Sequence, residues 1–191
     1  MLAEYEHIAN AHFETGKQVS TYFNYYLLIL AAPVIIATLI QNKNIEKVVN
    51  ASTGDDLIVH WIALILLFLI SVVGGLICWI VIEIHHDSIL YARTVNGIRR
   101  YFYTNSGITA SDLSKIQVLP TDRSKPDFYS YGHLFIFVLA FGLLNSSFLG
   151  GALYLHHRGL GCATVTIPII YFFVHIIIHY LMSLVRTNRY K

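Results

Sequence analysis

Residues 85–103 read HHDSILYARTVNGIRRYFY. This stretch decides the fold, because here a long apolar helix leaves the membrane and turns basic. At about 100° per residue, Tyr91, Val95, Ile98 and Phe102 fall in one narrow stripe, with Arg93, Asn96 and Arg100 opposite. Arg99 lies on the flank, and Gly97 weakens the helix slightly without breaking it. Two readings of this amphipathic helix stay open. One is a membrane-surface helix whose arginines sit near anionic headgroups. The other is a cytosolic receptor for an anion or nucleotide, with Arg93, Asn96, Arg99 and Arg100 as its donors.

The bulk composition supports the membrane. Of 191 residues, 55% are hydrophobic and 13% charged, and mean hydropathy is +0.58. Ordinary soluble domains carry about 25% charged residues. A chain this short cannot bury so much apolar surface in water, which predicts an integral membrane protein. Cys78 and Cys162 form no CxxC pattern, so neither a disulfide framework nor a zinc site is indicated.

Upstream of the opening stretch, residues 57–84 form a predominantly apolar run of 28 residues, about 42 Å as a helix. That exceeds the hydrocarbon core, so the helix tilts or projects beyond it. His60, Ser71, Gly75, Cys78 and His85 share a face, and the Gly74–Gly75 pair permits close helix contact or a hinge. Before it, residues 41–56 are a polar loop with a sequon at Asn50, and residues 22–40 form the first span. Tyr22, Phe23, Tyr25 and Tyr26 make an interfacial belt there, and Pro33 lies inside the span. Residues 1–20 carry Glu4, Glu6 and Glu14 against Lys17, the wrong charge for a signal peptide. Helical spacing of Ala3, His7, Asn10 and Glu14 predicts a short helix leading into the first span.

Downstream, residues 104–132 are rich in turn residues, with Pro120 and Pro126, and Thr109–Asp112 can cap a short helix. The third span, residues 133–155, carries Gly142, Ser146 and Gly150 at four-residue spacing, a stripe for close packing. Asn145 near its middle is expensive in a membrane and calls for a partner or a wet cavity. The fourth span, residues 162–185, lines up Tyr171, His175, His179 and Ser183 on one side. Of the thirteen Lys and Arg, ten fall in the N-terminus, residues 85–132 and the C-terminus, and three in the two other loops. The positive-inside rule then places both termini and residues 85–132 in the cytoplasm.

The expected fold is therefore all-α: a polytopic membrane protein of four transmembrane helices, residues 1–191 forming one domain. Residues 85–132 are a cytosolic insertion whose amphipathic helix lies between the second and third spans. No P-loop, nucleophile elbow or carboxylate pair is present, so no enzyme, cofactor or metal is expected. Asn145, Tyr171, His175, His179 and Ser183 are candidate pore-lining residues, and four spans enclose an aqueous path only as several copies around an axis. The alternative reading is a metal-dependent membrane oxidoreductase using His85, His86, His175 and His179. His175 and His179 have the i, i+4 spacing of two ligands on one helix.

At HFETGKQVSTYF (residues 12–23) and YARTVNGIRRYF (residues 91–102) the chain resembles small four-span effectors of bacterial anti-phage systems. These include membrane partners of RNA-targeting CRISPR nucleases and the channel effector of the Hailong system. The resemblance covers the first two thirds of the chain. It implies a homo-oligomeric ion channel or pore in the inner membrane, gated by a nucleotide or oligonucleotide signal or by a partner protein. By that resemblance Arg93, Asn96, Arg99 and Arg100 bind the anionic signal or hold the closed state. Some CRISPR-linked members carry an R-x(4-6)-H nuclease motif; no arginine here is followed by histidine at that spacing.

Overall fold

The structure is a computed structural model. It describes residues 2–42, 53–107, 122–129 and 133–190, with side chains for 5–31, 33, 60–107, 122–129 and 134–190. The secondary structure among these residues is helical: α1 (Leu2–Asn42), α2 (Thr53–Asn105), α3 (His133–His157) and α4 (Cys162–Arg189). Three of them, α2 over His60–Asn105, α3 over Leu134–His157 and α4, are long and apolar enough to cross a membrane. This is compatible with a membrane-embedded protein. The expected first span is helical in backbone throughout, but its side chains beyond Pro33 lie outside the described residues. The Asn50 sequon and the expected cap at Thr109–Asp112 also lie outside them.

The helices are longer than the spans read from the sequence. The expected N-terminal helix and first span are one helix of 41 residues that runs through Pro33. The second span and the basic stretch are likewise one helix of 53 residues, about 80 Å at 1.5 Å per residue. Nothing between Ile84 and Tyr103 stops it, because one glycine costs only about 1 kcal/mol and no proline intervenes. This long helix is the hub, with α1, α3 and α4 all against it.

The core forms where α1, α2 and α3 meet, from Tyr26, Ile77, Cys78, Val81, Ile82, Leu134, Val138 and Phe141. Aromatic rings interlock there, with Tyr26 and Phe141 centroids 4.2 Å apart and Phe23 and Phe137 5.0 Å apart. In lipid such contacts matter through dispersion and close fit, since apolar surface gains little by leaving apolar solvent. A tight turn joins α3 to α4. Arg158 adopts a left-handed φ of 54° in it, and Thr164 Oγ1 reaches back to the Gly161 amide (3.2 Å) and the Gly159 carbonyl (3.3 Å). Only 11% of the apolar stretch of α4 is buried, against 39% for α2 and 33% for α3. The fourth helix is therefore peripheral.

Candidate functional site

Two groups of polar side chains stand out, one between the apolar helices and one at the basic end of α2. The first is built around Asn145, fully buried in α3. His175 Nδ1 lies 2.9 Å from the Tyr171 carbonyl, which can only accept, so Nδ1 carries the proton. His175 Nε2 is then the acceptor for Asn145 Nδ2 at 3.2 Å. That fixes the amide: Asn145 Oδ1 faces Tyr26 and accepts its hydroxyl at 2.7 Å. Ser71 donates to the Asn145 backbone carbonyl (2.8 Å), and Tyr171 donates to the Ser71 carbonyl (3.1 Å). Four helices are thereby joined by one network.

Small residues make room for it. A β-carbon on Gly74 would sit 2.0 Å from Asn145 Oδ1, and one on Gly75 would sit 2.7 Å from the Tyr171 hydroxyl. The expected Gly74–Gly75 contact is thus a contact with these polar groups. On the other side, Gly142 faces Phe172 and His175, and Gly150 faces Pro168, so the small-residue stripe of α3 receives α4.

Further along α4 the row continues into a second cluster. His86 Nε2 is 3.1 Å from Ser183 Oγ. The His179 ring lies between Tyr129 and Phe135, at 5.6 and 6.2 Å. His86 Nδ1, both His179 nitrogens and Ser146 Oγ are buried with no hydrogen-bond partner among the described residues. Arg186 closes the end of α4 onto α2, 2.7 Å from Glu83 and 3.3 Å from Asp87.

Of the five residues read as pore-lining, Asn145, Tyr171 and His175 are brought into one network, while His179 lies beside Phe135 of α3 and Ser183 meets His86 of α2 further along α4. Reading the sequence missed Tyr26, Ser71 and His86 as their partners. Of the four histidines of the oxidoreductase alternative, His175 is committed to Tyr171 and Asn145. Among the described residues no three His, Cys, Asp or Glu side chains converge as metal ligands.

At the basic end the four expected donors have separate fates. Arg93 Nε donates to the Pro126 carbonyl (2.9 Å), and its guanidinium lies 4.2 Å above the Phe128 ring. Asn96, buried, donates to the carbonyls of Asp122 and Lys125 at 3.2 and 3.0 Å. Arg99 reaches Tyr5 of α1, and Arg100 is exposed. Val95 and Asn96 are both buried although the periodicity puts Asn96 on the polar side, because residues 122–129 fold back over that flank. Within this segment Asp122 accepts from the Ser124 hydroxyl (2.7 Å) and amide (2.8 Å), which hold its carboxyl below the usual carboxylate range. Arg123, absent from the expected site, stretches across Gly97.

No protein-family model, curated protein or solved structure matches this chain. The reading of its function therefore rests on these two groups of residues and on the resemblance of its two short motifs.

Proposed function

We propose that the chain is a membrane effector of an anti-phage defence system that assembles as a homo-oligomer and conducts ions across the bacterial inner membrane. In this reading it has four spans, its termini and residues 85–132 face the cytoplasm, and an anionic signal or a partner protein opens it from there.

The observation that carries this reading is the two-faced character of α4. One face holds Tyr171, His175, His179 and Ser183 along 13 residues, about 18 Å from first to last and more than half of a hydrocarbon core of about 30 Å. The other leaves Ile169, Ile170, Phe173, Ile177, Leu181 and Val185 exposed. Polar groups inside a span are costly and are found where a bundle interior or a water path uses them. With the row turned onto α2 and α3 the path is shut; turning or withdrawing α4 presents the same row to an axis shared by several copies. The apolar face supplies the surface on which copies meet or lipid lies.

The test is membrane potential in bacteria induced to make the chain, read with a voltage-sensitive dye. Depolarisation that follows activation, with higher-order cross-links between copies, supports the channel. An unchanged potential under activating conditions, in cells whose membranes contain the inserted protein, overturns it.

A further inference from the structure

Where residues 122–129 fold back on α2, Arg123 forms part of the wall of an open cavity of about 540 Å³, within the range of about 300–1,000 Å³ usual for small-molecule sites. Its walls come from the start of α1 (Ile8), the basic end of α2 (Leu90 to Tyr101), Arg123 and Tyr190 just past α4. Four separate parts of the chain thus converge on one concave surface.

The chemistry of the walls is specific. Arg93 is held in place by the Pro126 carbonyl and the Phe128 ring, while its two terminal nitrogens have no partner among the described residues. Arg123 has no hydrogen-bond or ion-pair partner among them either. Its Nε would stand 3.1 Å from a β-carbon on Gly97, and its stem atoms 3.6 and 3.7 Å. Glycine at position 97 lets this arginine lie flat on the helix and face the cavity. Asp122 accepts from Ser124 and Asp127 pairs with Lys125; both carboxylates also attract Arg93 through space, and neither forms an ion pair with Arg123. Two guanidinium groups therefore share a cavity that also holds the tyrosines Tyr101 and Tyr190 and the apolar Ile8, Leu90 and Ile98.

We propose that this cavity binds a small organic phosphate. Arg93 and Arg123 hold the phosphate, and the tyrosine-lined apolar wall takes its body. A guanidinium fork matches the geometry of a phosphate, and charge-assisted contacts are stronger than neutral ones. The site names the anionic signal of the function proposed above and rests on that reading for its purpose, though not for its existence. Position along α2 favours a soluble ligand. If the helix leaves the lipid near Ile84, Leu90 is about 9 Å and Tyr101 about 25 Å beyond it, whereas a headgroup layer is only about 5–8 Å deep.

Phenyl phosphate is the probe, titrated by calorimetry against the full-length protein in neutral detergent. Saturable binding is expected, weaker for inorganic phosphate and absent for phenol. Arg123→Gln, at an exposed position, should weaken it about tenfold to a hundredfold. Gly97→Ala, which displaces Arg123 by a few tenths of an ångström, should weaken it less. Repeating the titration in nanodiscs separates the sources of phosphate: competition by phosphatidylglycerol but not phosphatidylcholine assigns the site to a lipid headgroup, and no competition assigns it to a soluble ester. Absence of saturable binding by protein with native helix content, or equal affinity in Arg123→Gln, overturns the proposal. Binding without ion flux leaves the site standing and removes the channel; flux without binding does the reverse.

Discussion

Gly74→Ala is expected to be the most damaging single-methyl change among the described glycines. The new β-carbon would lie 2.0 Å from Asn145 Oδ1 and 2.7 Å from Tyr26 Cε2, where contact distances of 3.4 Å or more are ordinary. Asn145 must retreat by more than about 1 Å, and it is anchored by Tyr26 and His175. Overpacking a tight interior costs about 1–3 kcal/mol, and two interhelical hydrogen bonds in a membrane are worth about 0.6 kcal/mol each. The expected loss is about 2–4 kcal/mol, measured by equilibrium unfolding with SDS in mixed micelles. Gly75→Ala should cost less, since its β-carbon meets only the tip of a flexible tyrosine. Gly16→Ala meets nothing within 4 Å and should gain about 0.5–1 kcal/mol. Combining Gly74→Ala with Asn145→Ala should cost less than the two changes summed, because one clash is removed. A Gly74→Ala protein within about 0.5 kcal/mol of the parent would refute the packed network.

Tyr26→Phe removes the donor to Asn145 and leaves a buried amide oxygen unpaired, a loss of about 1–3 kcal/mol in the same assay. Asn96→Ala frees residues 122–129 from α2, so trypsin should cut after Arg123 sooner while helix content by circular dichroism is unchanged; the Lys125–Pro126 bond resists trypsin in either protein. Arg186→Gln should cost under about 1 kcal/mol, the cost shrinking in high salt, because its partners Glu83 and Asp87 are partly exposed. Reporter fusions at positions 45, 110 and 191 should read periplasm, cytoplasm and cytoplasm. A periplasmic signal at 110 would put the basic end of α2 on the wrong side.

Much of this was legible in the sequence, because apolar run length and helical spacing are local signals. The small-residue stripe of α3 announced a close helix contact, though not that α4 would make it. Asn145 could be flagged as needing a partner, and the aligned row on α4 was visible at its i, i+4 spacing. What stayed hidden were contacts across long separations in the chain. Nothing local says that Tyr26, 119 residues away, meets Asn145, or that His86 meets Ser183. The basic row was legible as a set of donors, but not which carbonyls it would find. A helical wheel treats one flank as solvent, and the fold-back of residues 122–129 covers it. Arg123 sits among turn residues with no periodicity, so only the packing across Gly97 brings it forward.

The most direct test of the account is ion flux through the purified chain reconstituted in liposomes, with potassium-loaded vesicles and a voltage dye. The account predicts flux that rises more steeply than linearly with protein per vesicle, as assembly of several copies requires. It also predicts that His175→Leu, at the centre of the polar row, alters that flux in protein confirmed to be inserted. Vesicles that hold their potassium gradient at every protein density and in the presence of phenyl phosphate would contradict it.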